Sequence, residues 1–162
     1  MKQIPLSQGL FALVDDEDYD FLMQWKWTAN KERKTFTAFR HQYTPKPRKF
    51  IYMHRFIMGI TDALIFVDHI DGNGLNNQKS NLRACSNAQN LMNRPSNKNN
   101  TSGFKGVTFD SKNQKWIAQI MVNRKSIKLG RFSDKKDAAI AYNNAAKIYF
   151  GEFAHLNKVP SK

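Results

Sequence analysis

Cysteine is nearly absent, with Cys85 the single one in 162 residues. One thiol cannot close an internal disulfide or supply a cysteine-based zinc site, so a reducing, cytosolic setting is the expectation. Long apolar runs are missing too: no stretch approaches the roughly 18 residues a membrane span needs, and no membrane partner is expected. The opening MKQIPLSQGLFALVDD has no extended apolar region and meets acidic residues early, so no secretory signal is expected either. Acidic residues are scarce beside basic ones, 13 against 26, and the net charge of +13 points to a polyanion, most often nucleic acid. What is plentiful is hydrophobic residues, at 41%. That is too many for a disordered chain and enough for one compact domain or two small ones.

The excess charge is unevenly placed. Residues 101–162 hold 12 basic and 4 acidic residues, against 10 and 7 in residues 1–66. Near the start, Asp15, Asp16, Glu17 and Asp18 suit a helix N-terminus, and Tyr19, Leu22, Met23 and Trp25 follow at near-helical spacing as expected core. Lys26 to Arg55 carries nine basic residues and one acid, interleaved with Phe36, Phe39, Tyr43, Phe50 and Tyr52. TFTAF at 35–39 and KFIYM at 49–53 read as strands separated by the turn Thr44-Pro45-Lys46-Pro47. They form either a basic two-stranded ribbon that lies against phosphates or an ordinary hairpin with a charged face. IFVDH at 65–69 reads as a buried strand with polar side chains at its end. Asp71-Gly72-Asn73-Gly74 is turn chemistry, and Leu82 to Cys85 reads as a returning strand. Ser86-Asn87-Ala88-Gln89 fits a capping box, and the short helix it opens ends before Pro95.

Residues 93–103, NRPSNKNNTSG, are the expected boundary between domains. Beyond them Gly106–Phe109, Trp116–Val122 and Ser126–Leu129 predict a three-stranded antiparallel meander. Ser133 is the expected N-cap of an alanine-rich helix that buries Ala138, Ala141, Tyr142, Ala145, Ala146 and Tyr149 and stops at Gly151.

Chemistry concentrates around His69. Phosphodiester hydrolysis needs a base for water, a cation at the phosphate and stabilisation of the leaving oxygen. A strand ending Asp68-His69 sends adjacent side chains to opposite sides, so one can hold a metal while the other faces water. Asn90 in the short helix can complete the metal shell, with Asn87 as its competitor. Carboxylate, amide oxygen and water favour Mg²⁺ or Mn²⁺ over zinc. The structural alternative is a packed histidine beside a turn aspartate. His54 is either a core or a phosphate-contacting histidine. A calcium loop fits poorly, because Leu75 stands where an oxygen ligand is needed.

DHIDGNGLNNQKSNLR followed by AQN resembles the HNH endonucleases of phage and intron-encoded homing type, and MHRFIMG and LVDDEDYDFL add to the likeness. The resemblance implies a ββα-metal unit with His69 as general base, Asn81 orienting the loop, and Asp68 and Asn90 on the metal. The family often has histidine where Asn90 stands. Residues 103–157 resemble an AP2 DNA-binding domain through KGV, KWIAQI, IKLGRF, AAIAYNNAA and the closing HLN. That resemblance implies a sheet in the DNA major groove. Its contact positions fall on Lys105, Thr108, Lys115, Gln119, Met121 and Lys128, several departing from the family's base-reading residues. Arg55 is a further candidate for DNA contact.

The expectation is an α+β chain: an HNH endonuclease domain over 1–94, with its ββα-metal motif near 65–94, a linker at 95–102, and the AP2-like sheet and helix at 103–157. The function is Mg²⁺-dependent (or Mn²⁺-dependent) cleavage of double-stranded DNA by a monomer or homodimer, in a bacterial host's cytoplasm and phage-encoded. The alternative is a non-catalytic, sequence-specific DNA-binding regulator. An RNA-binding accessory protein fits less well, because no exposed aromatic stacking signature is apparent.

Overall fold

In the computed structural model, residues 1–32, 35–43, 46–97 and 99–160 are described. They form two compact units, residues 1–90 and 91–162.

In the first unit, β1 (Lys2–Pro5) and β2 (Phe11–Val14) make an antiparallel hairpin that sets Ile4 opposite Ala12. α1 (Asp16–Leu22) starts on Asp16, Glu17 and Asp18, which favour its positive end. Met23, expected in the core, is 42% exposed because the helix stops at Leu22 and the chain turns outward. Next come β3 (Thr28–Lys31), β4 (Phe36–Gln42) and β5 (Lys49–Tyr52), in one antiparallel sheet of that order. The expected two-stranded ribbon therefore gains a third strand, anchored by buried Ala29 beside buried Trp27. Of the expected turn between β4 and β5, Thr44 and Pro45 lie outside the described residues, as does Lys98 of the expected linker.

α2 (Met53–Ile57) leads to the hairpin of β6 (Phe66–His69) and β7 (Leu82–Cys85), followed by α3 (Asn87–Met92). The reciprocal capping box forms as expected: Ser86 N–H donates to Gln89 Oε1 at 2.8 Å and Gln89 N–H to Ser86 Oγ at 3.2 Å. β6 reverses the expected burial. Its apolar start is open, Phe66 at 36% with Ile65 just before it at 39%, while Asp68 and His69 are buried.

The core of this unit is Ile4, Leu6, Ala12, Val14, Leu22, Trp27, Ala29, Ala38 and Met53. From the 66–90 segment only Leu75, in the β6–β7 loop, packs against it. Hydrogen bonds hold that loop instead. Leu13 N–H donates to Leu75 O and Asn77 N–H to Leu13 O, both at 2.8 Å. The Asp15 carboxylate accepts from Lys79 N–H at 2.8 Å and from Gln78 Nε2 at 3.2 Å. Gly74 N–H donates to Thr35 Oγ1 at 2.9 Å, and a Cβ at Gly74 would sit 2.4 Å from Phe36 O. The acidic N-terminal segment is thus the clamp on the asparagine-rich loop.

The second unit is a three-stranded antiparallel sheet of β8 (Val107–Asp110), β9 (Lys115–Val122) and β10 (Lys125–Phe132), in the order β10-β9-β8, with α4 (Lys135–Phe150) packed on it. Ile120, Tyr142, Ala145, Ala146 and Phe150 form one buried cluster and Val107, Ala118, Ala138 and Ala139 another. Trp116, Leu129 and Phe132 pack against these clusters, as expected. The N-cap is Asp134 rather than Ser133, its carboxylate accepting from Lys136 N–H at 2.8 Å. The stripe differs from expectation only at its edges: Ala139 and Phe150 are buried, Ala141 is half-buried and Tyr149 is 47% exposed. Gly106 has φ +74° and leaves no room for a side chain, since a Cβ would lie 2.1 Å from the Tyr142 ring.

Candidate functional site

Asp68 stands directly opposite Arg83 in the β6–β7 register, and adjacent residues of a strand face opposite ways. On one face Arg83 donates to Asp68 Oδ2 from Nε at 3.0 Å and Nη2 at 2.7 Å. Asp68 is buried and Arg83 largely so, and the guanidinium offsets a charge that would otherwise be costly there. Cys85 shares this face and accepts the backbone N–H of Asn90. Burial and the nearby Asp68 carboxylate push the Cys85 thiol up, so it stays protonated and is no soft ligand. Asn90 is half-buried while Asn87 is exposed, which favours Asn90 of the two candidates.

On the other face the His69 ring lies edge-on to His54, centroids 5.1 Å apart, and its Nε2 sits 3.4 Å from Asn77 Oδ1. Burial lowers the His69 pKa, against the raising effect of Asn77, Asp71 and Asp68, so the imidazole is neutral at neutral pH. Burial and the neighbouring His69 and Arg55 take His54 down to about 3. His54 Nδ1 and Asn77 Nδ2 are buried with no hydrogen-bond partner among the described residues. A built site with orphan donors or acceptors is where a ligand or water belongs.

Asn81 ties the loop. Its Nδ2 donates to Asp71 Oδ1 at 3.0 Å and Asn76 O at 2.8 Å, and its Oδ1 accepts Asp71 N–H at 3.0 Å. Burial raises the Asp71 carboxyl, but hydrogen bonds from Asn76, Asn73 and Asn81 outweigh it and hold the pKa below the usual range. Asp71 is therefore occupied in building the turn.

Residues 62–92 match the family model described as HNH endonuclease. A mimivirus protein named "Uncharacterized HNH endonuclease L560", from Acanthamoeba polyphaga mimivirus, is 33% identical over 153 residues, which cover 94% of this chain and 78% of that protein. The chain belongs to the HNH endonuclease family. "Protein 3.8" of Escherichia phage T7 is 32% identical over 84 residues, covering 52% of this chain and 69% of the phage protein.

This HNH endonuclease is a nuclease, and nucleases of its family act on DNA and generally depend on a divalent metal. Among the described residues no group of three or more His, Cys, Asp and Glu side chains is placed to hold an ion. The expected ligands, the Asp68 carboxylate and the Asn90 amide, both offer hard oxygens, with Asp68 held by Arg83. That set suits Mg²⁺ or Mn²⁺, which keep waters and take phosphate oxygens for the rest of the shell.

In the second unit, Thr108, Lys115, Gln119, Met121 and Lys128 are all exposed. The register pairs Lys128 with Gln119 and Thr108 with Ile117, so alternation puts all five on the sheet face away from α4. Lys115 Nζ also donates to Ser133 Oγ at 2.7 Å. Two expected contacts are engaged elsewhere. Lys105 Nζ donates to Met92 O and Arg94 O, each at 2.7 Å, and burial lowers its ammonium to about 8. Arg55 donates from Nη1 to Ile65 O and from Nη2 to Asp62 O, each at 2.6 Å. Both cations close their own chain, because unpaired carbonyls at a helix end or loop attract them.

Sequence reasoning missed Asn77 and Arg83. The run LNNQ held Asn77 in view, but nothing in spacing separates it from Asn76. The register of β6 and β7 supplies Arg83.

Proposed function

We propose that the chain is an endonuclease of homing type that hydrolyses one phosphodiester bond of double-stranded DNA per binding event. His69 takes the proton from the attacking water. Asp68 and Asn90 hold the metal, Asn81 sets the loop, and His54 and Asn77 keep the His69 ring in place. When bound, Mg²⁺ or Mn²⁺ supplies neutralisation of phosphate charge and stabilises the departing oxygen. Water adds to phosphorus, the 3′ oxygen leaves, and the products carry 5′-phosphate and 3′-hydroxyl ends. Arg83 keeps Asp68 oriented until substrate and ion arrive.

The second unit, an AP2-like sheet and helix, supplies affinity and register through the face that carries Lys115 and Lys128, whose ammonium groups contact phosphates. The protein works on duplex DNA as a monomer or homodimer in a host's cytoplasm. The viral and phage relatives support a mobile gene of that origin. The observation that carries this reading is a buried, neutral His69 beside a buried Asp68.

The test is relaxation of supercoiled plasmid with Mg²⁺ by wild type and His69→Ala. Loss of a general base is expected to slow cutting by about 10²–10⁴-fold. Equal rates would remove His69 from the chemistry. Tight retention of DNA with no cutting by either protein would leave a binding regulator.

A further inference from the structure

We propose that one face of β4 and β5 is a stacking platform for unpaired bases, so that the preferred substrate is DNA locally unpaired or unstacked beside the scissile phosphate. This rests on the reading above only for placing that phosphate next to His69. Alternation along β4 gives one face to Phe39 and His41, with Tyr43 just beyond the strand, and the register sets Phe39 opposite Tyr52 and His41 opposite Phe50. Ring centroids run 5.2 Å from Phe39 to His41, 4.9 Å from His41 to Phe50, 5.5 Å from Phe39 to Phe50 and 6.2 Å from Phe39 to Tyr52. Tyr43 continues the row at 5.8 Å from His41. Five rings thus share one side of a two-stranded segment.

None of the five belongs to the hydrophobic core or packs against it. The core lies behind the opposite face, where Arg40 is stacked 4.5 Å over Trp25 and 5.4 Å over Phe56. Tyr43 is 64% and Phe50 58% exposed. A solvent-facing sheet surface is ordinarily polar, and a contiguous apolar one marks a binding site.

Two observations select the occupant. The row is continuous with the candidate active site: Tyr52 lies 5.6 Å from His54, which lies 5.1 Å from His69. A cation also borders the rings: Arg48 donates from Nε to His41 Nδ1 at 2.9 Å and sits 5.2 Å over Tyr43. Rings that accept bases, bordered by cations that accept phosphates, are the pattern of single-strand binding. A buried protein partner would leave Arg48 facing apolar surface, whereas a DNA strand matches both the rings and the cation.

The test uses the full chain carrying His69→Ala, so that substrates stay intact. Its probes are a paired duplex, the same duplex with a central unpaired bubble, and a thymidine homopolymer strand, read by fluorescence anisotropy. The bubble is expected to bind at least about ten-fold more tightly than the duplex, and Phe50→Ala to lose about ten-fold on the bubble and far less on the duplex. Phe50→Leu should not restore binding. Phe50→Trp should, with its emission quenched by the bubble. Tyr43→Ala, at an equally exposed position, repeats the measurement should Phe50→Ala fold poorly by circular dichroism. Equal loss on bubble and duplex, rescue by leucine, or a change in self-association by sedimentation instead would each overturn the platform. Wild type that leaves plasmid uncut but keeps a Phe50-dependent bubble preference would remove the nuclease mechanism and retain the platform. Cutting without that preference would do the reverse.

Discussion

The two units bury opposite kinds of material. Among the described residues, Thr37, Asp68, His69, Asn77 and Asn81 are buried polar groups of the first unit, and Ser102 is the counterpart in the second. The buried side-chain atoms without a partner among the described residues, on Asp18, Arg40, His54, Asn76 and Asn77, belong to the first unit. The second unit is instead filled by apolar residues between sheet and helix, with partly buried Lys105 engaged by backbone carbonyls. Ser102 there is fully engaged: its Oγ reaches Val107 O at 2.8 Å and Phe104 O at 3.0 Å. Desolvated polar groups destabilise a fold unless something compensates them. One unit is therefore built around chemistry and the other around a rigid surface.

The comparison can be broken most directly at the buried ion pair. Arg83→Met leaves Asp68 buried without its cation and is expected to cost the first unit about 3–5 kcal/mol. In a Trp116→Phe background, Trp25 and Trp27 report that unit alone, so denaturant unfolding followed by their fluorescence checks it. A change below about 1 kcal/mol would show that the Arg83–Asp68 pair does little to hold this unit.

Acid should separate the units next. His54 has a folded pKa of about 3 against 6.5 in the unfolded chain. The unfolded state therefore binds the proton first, and stability present above pH 6.5 is lost as pH falls toward 3. By pH 4 the loss from this group is about 3 kcal/mol, at about 1.4 kcal/mol per unit. His69, also lowered by burial, adds in the same direction. His54→Phe should flatten the fall in Tm of the first unit between neutral pH and pH 4, and an unchanged slope would count against a buried neutral His54. At the second unit's sheet, Lys128→Ala should reduce the salt dependence of DNA binding by about one unit of slope. The smallest effect expected is Asp134→Ala, about 1 kcal/mol from the lost helix cap, read as a lower unfolding midpoint.

Much of the second unit was legible because its periods are clean. The three expected strands match β8, β9 and β10 within a few residues, and Ile120 is buried while Trp116 packs against the core. The helix face holds at Ala138, Tyr142, Ala145 and Ala146 and differs at its edges, where Ala139 joins the cluster of Val107 and Ala118 and Phe150 that of Ile120. In the first unit the motif residues could be picked out from DHIDGN and SNLR. The acids at 15–18 read as a solvated helix start, and nothing local says that Asp15 grips Gln78 and Lys79, 63 and 64 residues away. The aromatic residues between Lys26 and Arg55 were visible as an interleaved series. Their gathering on one side of β4 and β5 depends on cross-strand register, so the expected lack of a stacking signature does not hold.

The order of elements, the asparagine-rich turn, the capping box and the basic balance follow from the sequence alone, because propensity, capping and net charge act over neighbouring residues. The family likeness rests on the same local pattern. Tertiary structure decided that Arg83 neutralises Asp68, that His54 and Asn77 enclose His69, that Lys105 and Arg55 bind backbone carbonyls, and that five rings line up toward the site. Each of these is set by register or by packing between distant segments. The energy of a buried charge, an orphan polar atom or an exposed ring depends on what surrounds it in space, which sequence spacing does not record.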